Sequence, residues 1–393
     1  MKKGLIQDIQ AELKAQGLDG WFFTSFRASN PIAERLLRDN SPAFTTRRFF
    51  YFIPAAGEPL KILHNIEPHS LDAAPGKEIF YSRWQEWQEE VRKALKGCRK
   101  IAAEYSPDGV IPALSRLDLG VGELIRSLGI EIVHSGDLVA KFTVTLNEEQ
   151  YQSHLRALKV LEDSIGHGFG LVKQSVGSGK SMNEYELQQA LLRFIEERGL
   201  WTTSPPIAAV NEHAADPHFE PRKEGSHVIK KGDVLLIDIW AKKKGEDAIF
   251  ADITWCGYVG SEVPPEVEKI FDIVVAARDA GIAKAEECSR RDVRGWEVDR
   301  ATRDVIDKAG YGEYFVHRTG HSIHTEDHAD GANMDDYETR DERKLLEGTM
   351  FSIEPGIYLK GKIGFRSEVN VFISEKGAVV TGKRQEKLAR ILE

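Results

Sequence analysis

The chain is short of cysteine, of basic excess and of long apolar runs, and each shortage removes a class of protein. Its 393 residues contain three cysteines, Cys98, Cys256 and Cys288. They are odd in number, far apart and not in C-x-x-C spacing, which excludes a disulfide framework and a thiolate zinc site and suits a reducing compartment. Apolar runs such as Val234–Ile237 and Ile273–Ala277 are core-sized, far below the roughly 18 residues of a membrane-spanning helix. Lys and Arg total 53 against 62 Asp and Glu, a net charge of −9, so no basic stripe is available for nucleic-acid phosphates. Met1-Lys2-Lys3 leads into Asp8, Glu12 and Lys14 rather than an apolar segment, so no secretory leader is expected and the expected location is cytoplasmic. No low-complexity tract or tandem repeat is apparent.

What remains is a long chain, 41% hydrophobic and 29% charged. At about 150 residues per domain it should hold two to three domains, and it can bury a full core without disulfides or a structural metal. Residues 1–145 read as α/β. Short strands are expected at Gly20–Thr24, Phe49–Ile53, Lys61–Leu63, Glu78–Tyr81, Lys100–Glu104 and Ile130–Val133, with helices at Gln85–Lys96 and Ser115–Leu128. Asn147 is a helix N-cap candidate, and a long helix should run from there to about Val172. Ser181 and Glu184 fit a capping box ahead of a helix over Tyr185–Arg198. Further helices are expected at Glu266–Glu287 and Val293–Ala309. Strands are expected at Ile207–Val210, Asp233–Ala241, Ile249–Tyr258, Thr349–Ile353 and Phe365–Ile373. Helices and strands in separate blocks favour an α+β domain with an antiparallel sheet over 146–393. Gly177-Ser178-Gly179-Lys180-Ser181 resembles the tail of a phosphate loop, but Gln174 stands where the first glycine is required, and an inter-helix turn is expected instead.

Histidine is unevenly placed: seven of twelve fall between 213 and 328. The same half carries four acids in apolar settings: Asp238 after Val234-Leu235-Leu236-Ile237, Asp252 after Phe250-Ala251, Glu354 after Phe351-Ser352-Ile353, and Glu368 before Val369. An isolated acid of this kind is usually salt-bridged. Four such acids with His321 would repel one another strongly, unless divalent cations offset their charge. The oxygen-rich set suits a hard first-row dication, and four carboxylates exceed the needs of one ion.

The order Asp238…Asp252…His321…Glu354…Glu368, with Ile353-Glu354-Pro355-Gly356-Ile357-Tyr358 leading to Arg366-Ser367-Glu368, resembles the pita-bread metallopeptidase family of methionine aminopeptidases, Xaa-Pro aminopeptidases and prolidases. The N-terminal part is similar to the creatinase/prolidase type. Residues 349–368 and 207–219 are most similar to the Xaa-Pro branch. The resemblance implies a pita-bread catalytic domain over 146–393 behind a smaller α/β domain over 1–145. It implies hydrolysis at an Xaa-Pro N-terminus by a hydroxide bridging two divalent metals, Mn²⁺ first, with Co²⁺, Zn²⁺ or Fe²⁺ as other candidates. In that reading Asp238 chelates one metal, Asp252 and Glu368 bridge both, and His321 and Glu354 bind the other. Glu354 also shuttles the proton, His218 and His328 face the substrate, and Arg366 holds the bridging carboxylate or a proton relay in place. A homodimer is implied as well.

The chain departs from the family pattern near these positions. Trp240 stands in place of the usual glycine after the first Asp, and Trp255 in place of an arginine after the second. Ser322 and His324 replace glycines after His321, and the stretch from Ala241 to Ala251 is longer than usual. Two outcomes are open: Trp240 and Trp255 repack together, or Trp240, Trp255 and His324 reshape the substrate pocket, with His324 near the metals. Residues 325–343 carry eight acids against Arg340 and Arg343, read either as a solvated loop or as an acidic rim for a cationic N-terminus. Alternative functions are a non-peptidase hydrolase or lyase acting on a small C–N or C–S substrate, and a non-catalytic binding protein on the same scaffold. The expected partner is a peptide or small-molecule amide, not nucleic acid or a membrane.

Overall fold

The computed structural model describes residues 4–38, 45–245 and 247–393. Glu246, in the lengthened stretch between the two aspartates, and Met1-Lys2-Lys3 lie outside the described residues. The chain divides into two compact units, Met1–Thr143 and Val144–Glu393. Among the described residues no helix is long and apolar enough to cross a membrane.

The first unit is α/β. Its elements are α1 (Leu5–Ala15), β1 (Gly20–Ser25), α2 (Pro31–Leu37), β2 (Phe49–Pro54), β3 (Leu60–His64), β4 (Lys77–Tyr81), α3 (Trp84–Ala94), β5 (Lys100–Ala103), α4 (Leu119–Arg126), β6 (Glu131–His134) and α5 (Gly136–Thr143). One six-stranded mixed sheet has the order β4-β3-β2-β1-β5-β6. The helix expected over Ser115–Leu128 is shorter. Arg116 and Leu117 donate their N–H groups to the Glu104 carbonyl, and Asp118 caps α4 by accepting from Val121 N–H at 3.0 Å.

The second unit holds α6 (Glu148–Gly177), α7 (Glu184–Glu196), β7 (Leu200–Trp201), β8 (Ile207–Val210), β9 (Val234–Lys243), β10 (Ala251–Tyr258), α8 (Pro265–Glu286), α9 (Gly295–Lys308), β11 (Ser322–Ile323), β12 (Met350–Ile353), β13 (Gly356–Leu359), β14 (Ile363–Arg366), β15 (Val369–Ser374), β16 (Gly377–Thr381) and β17 (Ala389–Arg390). Asn147 caps α6 as expected, through a reciprocal pair with Gln150. The cap of α7 is Asn183 paired with Glu186, two residues beyond the expected Ser181 and Glu184. The glycine-lysine segment after α6 is the turn between two helices.

One sheet runs β17-β10-β9-β7 with β8 also on β9; a second runs β11-β12-β15-β16; β13 and β14 form a hairpin. Pairing is antiparallel except between β10 and β17. Alternation decides what each face of β9 meets, because successive side chains point to opposite sides of a strand. Leu235, Ile237, Ile239 and Ala241 pack against Leu161, Ile165, Leu187 and Leu191 of α6 and α7. Each of these buried leucines and isoleucines contributes about 1.5–3 kcal/mol. Val234 and Leu236 face the other way, toward Phe271 and Val274 of α8. Asp238 continues that second face.

The strand expected over Phe365–Ile373 is broken. Arg366 ends β14 in the hairpin, Val369 begins β15 in the second sheet, and Ser367-Glu368 bridges the gap. Glu368 N–H donates to the Thr254 carbonyl at 3.2 Å, so the break places Glu368 beside the carboxylate face of β10.

Candidate metal centre and active site

The even-numbered face of β9 and β10 opens on a cavity of about 1120 Å³. Asp238, Asp252, His321, Glu354, Arg366, His218, His328 and Trp240 all line it. Glu368 sits behind this lining, 2% exposed. Thr254 Oγ1 lies 2.9 Å from Asp238 Oδ1 and 2.7 Å from Glu368 Oε2, one hydroxyl proton between two carboxylates, and accepts from Arg366 Nε at 3.0 Å.

His321 is fixed from two sides. A Cβ on Gly320 would fall 1.9 Å from the Ser352 carbonyl oxygen, so only glycine permits this approach of backbones. The approach lets His321 N–H donate to Ser352 Oγ at 3.0 Å and Ser352 N–H to the His321 carbonyl at 2.9 Å. Nδ1 of His321 bonds the Asp327 carbonyl at 3.0 Å, which aims Nε2 at Asp252 Oδ2, 3.5 Å away, and Glu354 Oε1, 3.3 Å away. An imidazole whose other nitrogen is held by a carbonyl is the usual state of a metal-ligating histidine.

The loop carrying His218 is held by Asn211, in a left-handed conformation that asparagine tolerates. Its side chain donates to Asp233 Oδ1 and accepts from Val234 N–H. The loop then packs on Gly364, where a Cβ would meet the Ala214 carbonyl oxygen at 1.8 Å.

Burial and crowding of like charge dominate the electrostatics. Burial, then the charges of Asp327, Asp238 and Glu354, push Asp252 well above the usual carboxylate range. Burial, then Asp252, Glu354 and Asp238, do the same to Glu368. Burial also raises Asp238, against the pull of Arg366. Burial works to raise Glu354 too, but its basic neighbours, His321 and then Arg366 foremost, outweigh it and hold Glu354 low. The charge of His321, then desolvation and Arg318, lower His328 to about 3. Its ring stacks on His321 at 3.9 Å and its Nδ1 meets the Arg318 guanidinium at 3.0 Å.

Asp252 Oδ1, Glu368 Oε1 and Asp327 Oδ1 are buried without a hydrogen-bond partner among the described residues. Asp252, His321 and Glu368 offer ligand atoms within 4.8 Å of one another, as do His321, Asp327 and His328. Unpaired buried carboxylate oxygens around one imidazole fit hard divalent cations, which would supply the missing positive charge.

Several expected placements differ. Asp238 and Glu354 are outside both close groups; Asp238 Oδ2 pairs with Arg366, and Glu354 Oε1 lies 3.3 Å from His321 Nε2. Arg366 holds Asp238 rather than Glu368, whose partner is Thr254. Trp255 does not line the cavity. It pairs across the ladder with Ile237 and packs with the α6 and α7 core, on the face opposite Trp240. The two indoles therefore do not repack together. His324 is not among the lining residues either; its Nδ1 approaches Thr325 Oγ1 at 3.3 Å. The acidic stretch is not a solvated run: Asp335 and Asp341 are fully buried, Asp335 on backbone N–H groups of 337–339 and Asp341 on Arg343. Asp336 pairs with Arg300 and Arg340.

Asp327 and His317 are lining residues that the sequence pattern does not single out. Asp327 lines the cavity, and burial raises its carboxyl to about 6 despite His321. It was hidden among the eight acids. His317 is lowered to about 4 by desolvation; its Nε2 lies 2.7 Å from Tyr358 Oη, which in turn accepts from Arg366 at 3.4 Å. Its four-residue spacing from His321 was the available signal.

The sequence profile of metallopeptidase family M24 matches residues 156–375. This chain belongs to that family. Probable dipeptidase PepE of Mycobacterium bovis is 28% identical over 338 residues, 83% of this chain and 81% of that protein. Putative dipeptidase YkvY of Bacillus subtilis is 26% identical over 255 residues, and the match spans 64% of its length. The solved dipeptidase PepE of Mycobacterium ulcerans superposes with a TM-score of 0.68 at 24% identity, covering 98% of this chain and 96% of that one. A prolidase from Thermococcus sibiricus gives 0.61 at 23% identity, covering 98% and 97%. These structures share the two-part fold, an α/β unit followed in sequence by an α+β catalytic one. That makes the catalytic unit of this M24 chain a pita-bread domain.

Proposed function

We propose that this chain is a metal-dependent peptidase that removes an N-terminal residue at an Xaa-Pro bond, using two divalent cations, Mn²⁺ foremost. One observation carries the reading: buried, unpartnered carboxylate oxygens of Asp252 and Glu368 converge with His321 at a peptide-sized cavity. Membership of M24 supports it, as do relatives named dipeptidase and structural neighbours named prolidase.

In this reading Asp238, Asp252, His321, Glu354 and Glu368 hold the cations. Bound there, the cations supply charge that acidifies water and polarises the scissile carbonyl. Glu354 takes a proton at Oε and returns it to the leaving imino nitrogen of proline. Its carboxylate is suited to this because the surrounding positive charge keeps it ionised and ready to accept. His328 and His218 donate to the carbonyl oxygen as it gains charge. Arg366 keeps Asp238 in place, and Tyr358 and His317 extend that chain of bonds.

The test is turnover by Mn²⁺-loaded protein of Xaa-Pro dipeptides, longer Xaa-Pro peptides and non-peptide amides. Release of the N-terminal residue ahead of proline is expected. Turnover of non-peptide amides alone overturns the reading in favour of a different hydrolase.

A further inference from the structure

We propose that Lys242 reads the free C-terminal carboxylate of the substrate, so that the preferred substrate is a peptide of two to four residues. The identity of the ligand rests on the peptidase reading above.

Asp238, Trp240 and Lys242 are alternate residues of β9 and all line the cavity. Alternate residues of a strand stand ~6.8 Å apart, which puts the Lys242 backbone ~14 Å from that of Asp238. A peptide held with its scissile carbonyl at the Asp238 end advances ~3.3–3.6 Å per residue. Allowing ~3 Å for the ion contact itself, the span accommodates two or three residues after the scissile bond. A lysine leaning along the strand shortens this to one. The Trp240 indole, between the two charged positions, offers an apolar face to the residue that follows the cleaved bond.

Lys242 is only 8% exposed, and its Nζ donates to the Thr325 carbonyl at 2.7 Å. An ammonium has three donors, and a buried charge without a counter-ion is costly. No ion pair holds Lys242 among the described residues. Burial depresses its pKa, and the nearby charges of Glu326 and Asp247 only partly oppose this. A substrate carboxylate would supply the counter-charge. The other cavity cations are less suited: Arg366 is paired with Asp238, Arg318 is engaged by His328, Lys223 is exposed, and the Arg222 side chain is 79% exposed and faces Glu220 at 3.9 Å.

The probes are Pro-Leu and its carboxamide, which carry no Xaa-Pro bond and survive incubation. Calorimetric titration of the Mn²⁺-loaded full chain should show the acid binding at least tenfold tighter than the amide. Lys242→Met should abolish that preference and Lys242→Arg should retain most of it. Wild-type protein with less than threefold preference, no binding of the acid, or a Lys242→Met variant that keeps the preference would each overturn the proposal. Turnover of Ala-Pro-Leu by the same preparation judges the peptidase reading separately. Acid preference without turnover leaves Lys242 a carboxylate reader and removes the peptidase. Turnover without acid preference does the reverse.

Discussion

Trp240 stands directly across the antiparallel ladder from Asp252, on the face that opens to the cavity. Trp255 pairs with Ile237 and faces the helices instead. Two bulky departures from the family pattern thus have unrelated consequences. Trp240→Ala should change the ranking of kcat/KM among Xaa-Pro peptides, whatever stability it costs through lost packing on the Phe250 cluster and the bond to Thr203. Trp255→Ala should cost about 2–4 kcal/mol in urea unfolding, as truncation of a largely buried aromatic does, and leave that ranking intact. Equal effects of both substitutions on selectivity would contradict the facing assigned to them.

Glu354 lies 3.3 Å from His321 Nε2 and 3.0 Å from Ser352 Oγ, immediately before the Pro355-Gly356 turn. If it carries the proton as proposed, it should be indispensable. Glu354→Ala is expected to lower kcat by about 10²–10⁴-fold, the usual weight of a positioned acid–base group. Its circular dichroism and melting should stay close to wild type. An unchanged kcat would remove Glu354 from the mechanism.

Much of the site was legible in the sequence because strand alternation is strict. Once Val234–Ile237 is read as a strand, Asp238 belongs with the even positions, and the same holds for Asp252 on its partner. What alternation could not give was the break at Ser367-Glu368, since the two flanking segments are equally β-like and only their different partners separate them. Trp255 obeys the same alternation: three residues beyond Asp252 on one strand, it points to the opposite face. The acidic run misled by composition, because Asp335 and Asp341 satisfy their charge on backbone N–H groups and on Arg343, which no charge count reveals. In the N-terminal unit the seven-residue α2 went unread although Asn30 and Pro31 mark its start, as too few residues follow to show a helical period.

His154 supplies a pH prediction independent of the metal ligands. It is fully buried between the Phe250 carbonyl and Thr381 Oγ1, at 2.7 and 2.8 Å, and desolvation lowers it to about 4. The folded chain therefore refuses a proton that the unfolded chain accepts below its ordinary value of 6.5. The stability tied to this group is whole above that value and declines as pH falls from there toward 4. By pH 5 the loss should be about 2 kcal/mol. Urea titrations at pH 7.5 and 5.0 should show His154→Gln, whatever its absolute stability, losing less between the two than wild type. Equal losses would mean that another group governs this window.

On the proposed ligand set, Glu368 would link metal binding to stability. Its Oε1 is buried without a partner, and burial together with Asp252, Glu354 and Asp238 disfavours its charge. At neutral pH the metal-free fold must carry that penalty, whereas an amide at the same position does not. Glu368→Gln keeps an oxygen for Thr254 and should make the metal-free protein more stable by about 1 kcal/mol or more. The advantage should shrink as pH falls to the ordinary glutamate range, where the unfolded carboxyl is protonated as well. With Mn²⁺ the order should reverse. Wild type at a hundredfold excess over its Kd gains about 2.7 kcal/mol, and the variant, lacking one carboxylate, should gain less at the same concentration. Chelator-treated and Mn²⁺-loaded samples of both proteins, unfolded side by side in urea, give all four values. A variant that is no more stable without metal and gains as much with it would exclude Glu368 from the ligand set.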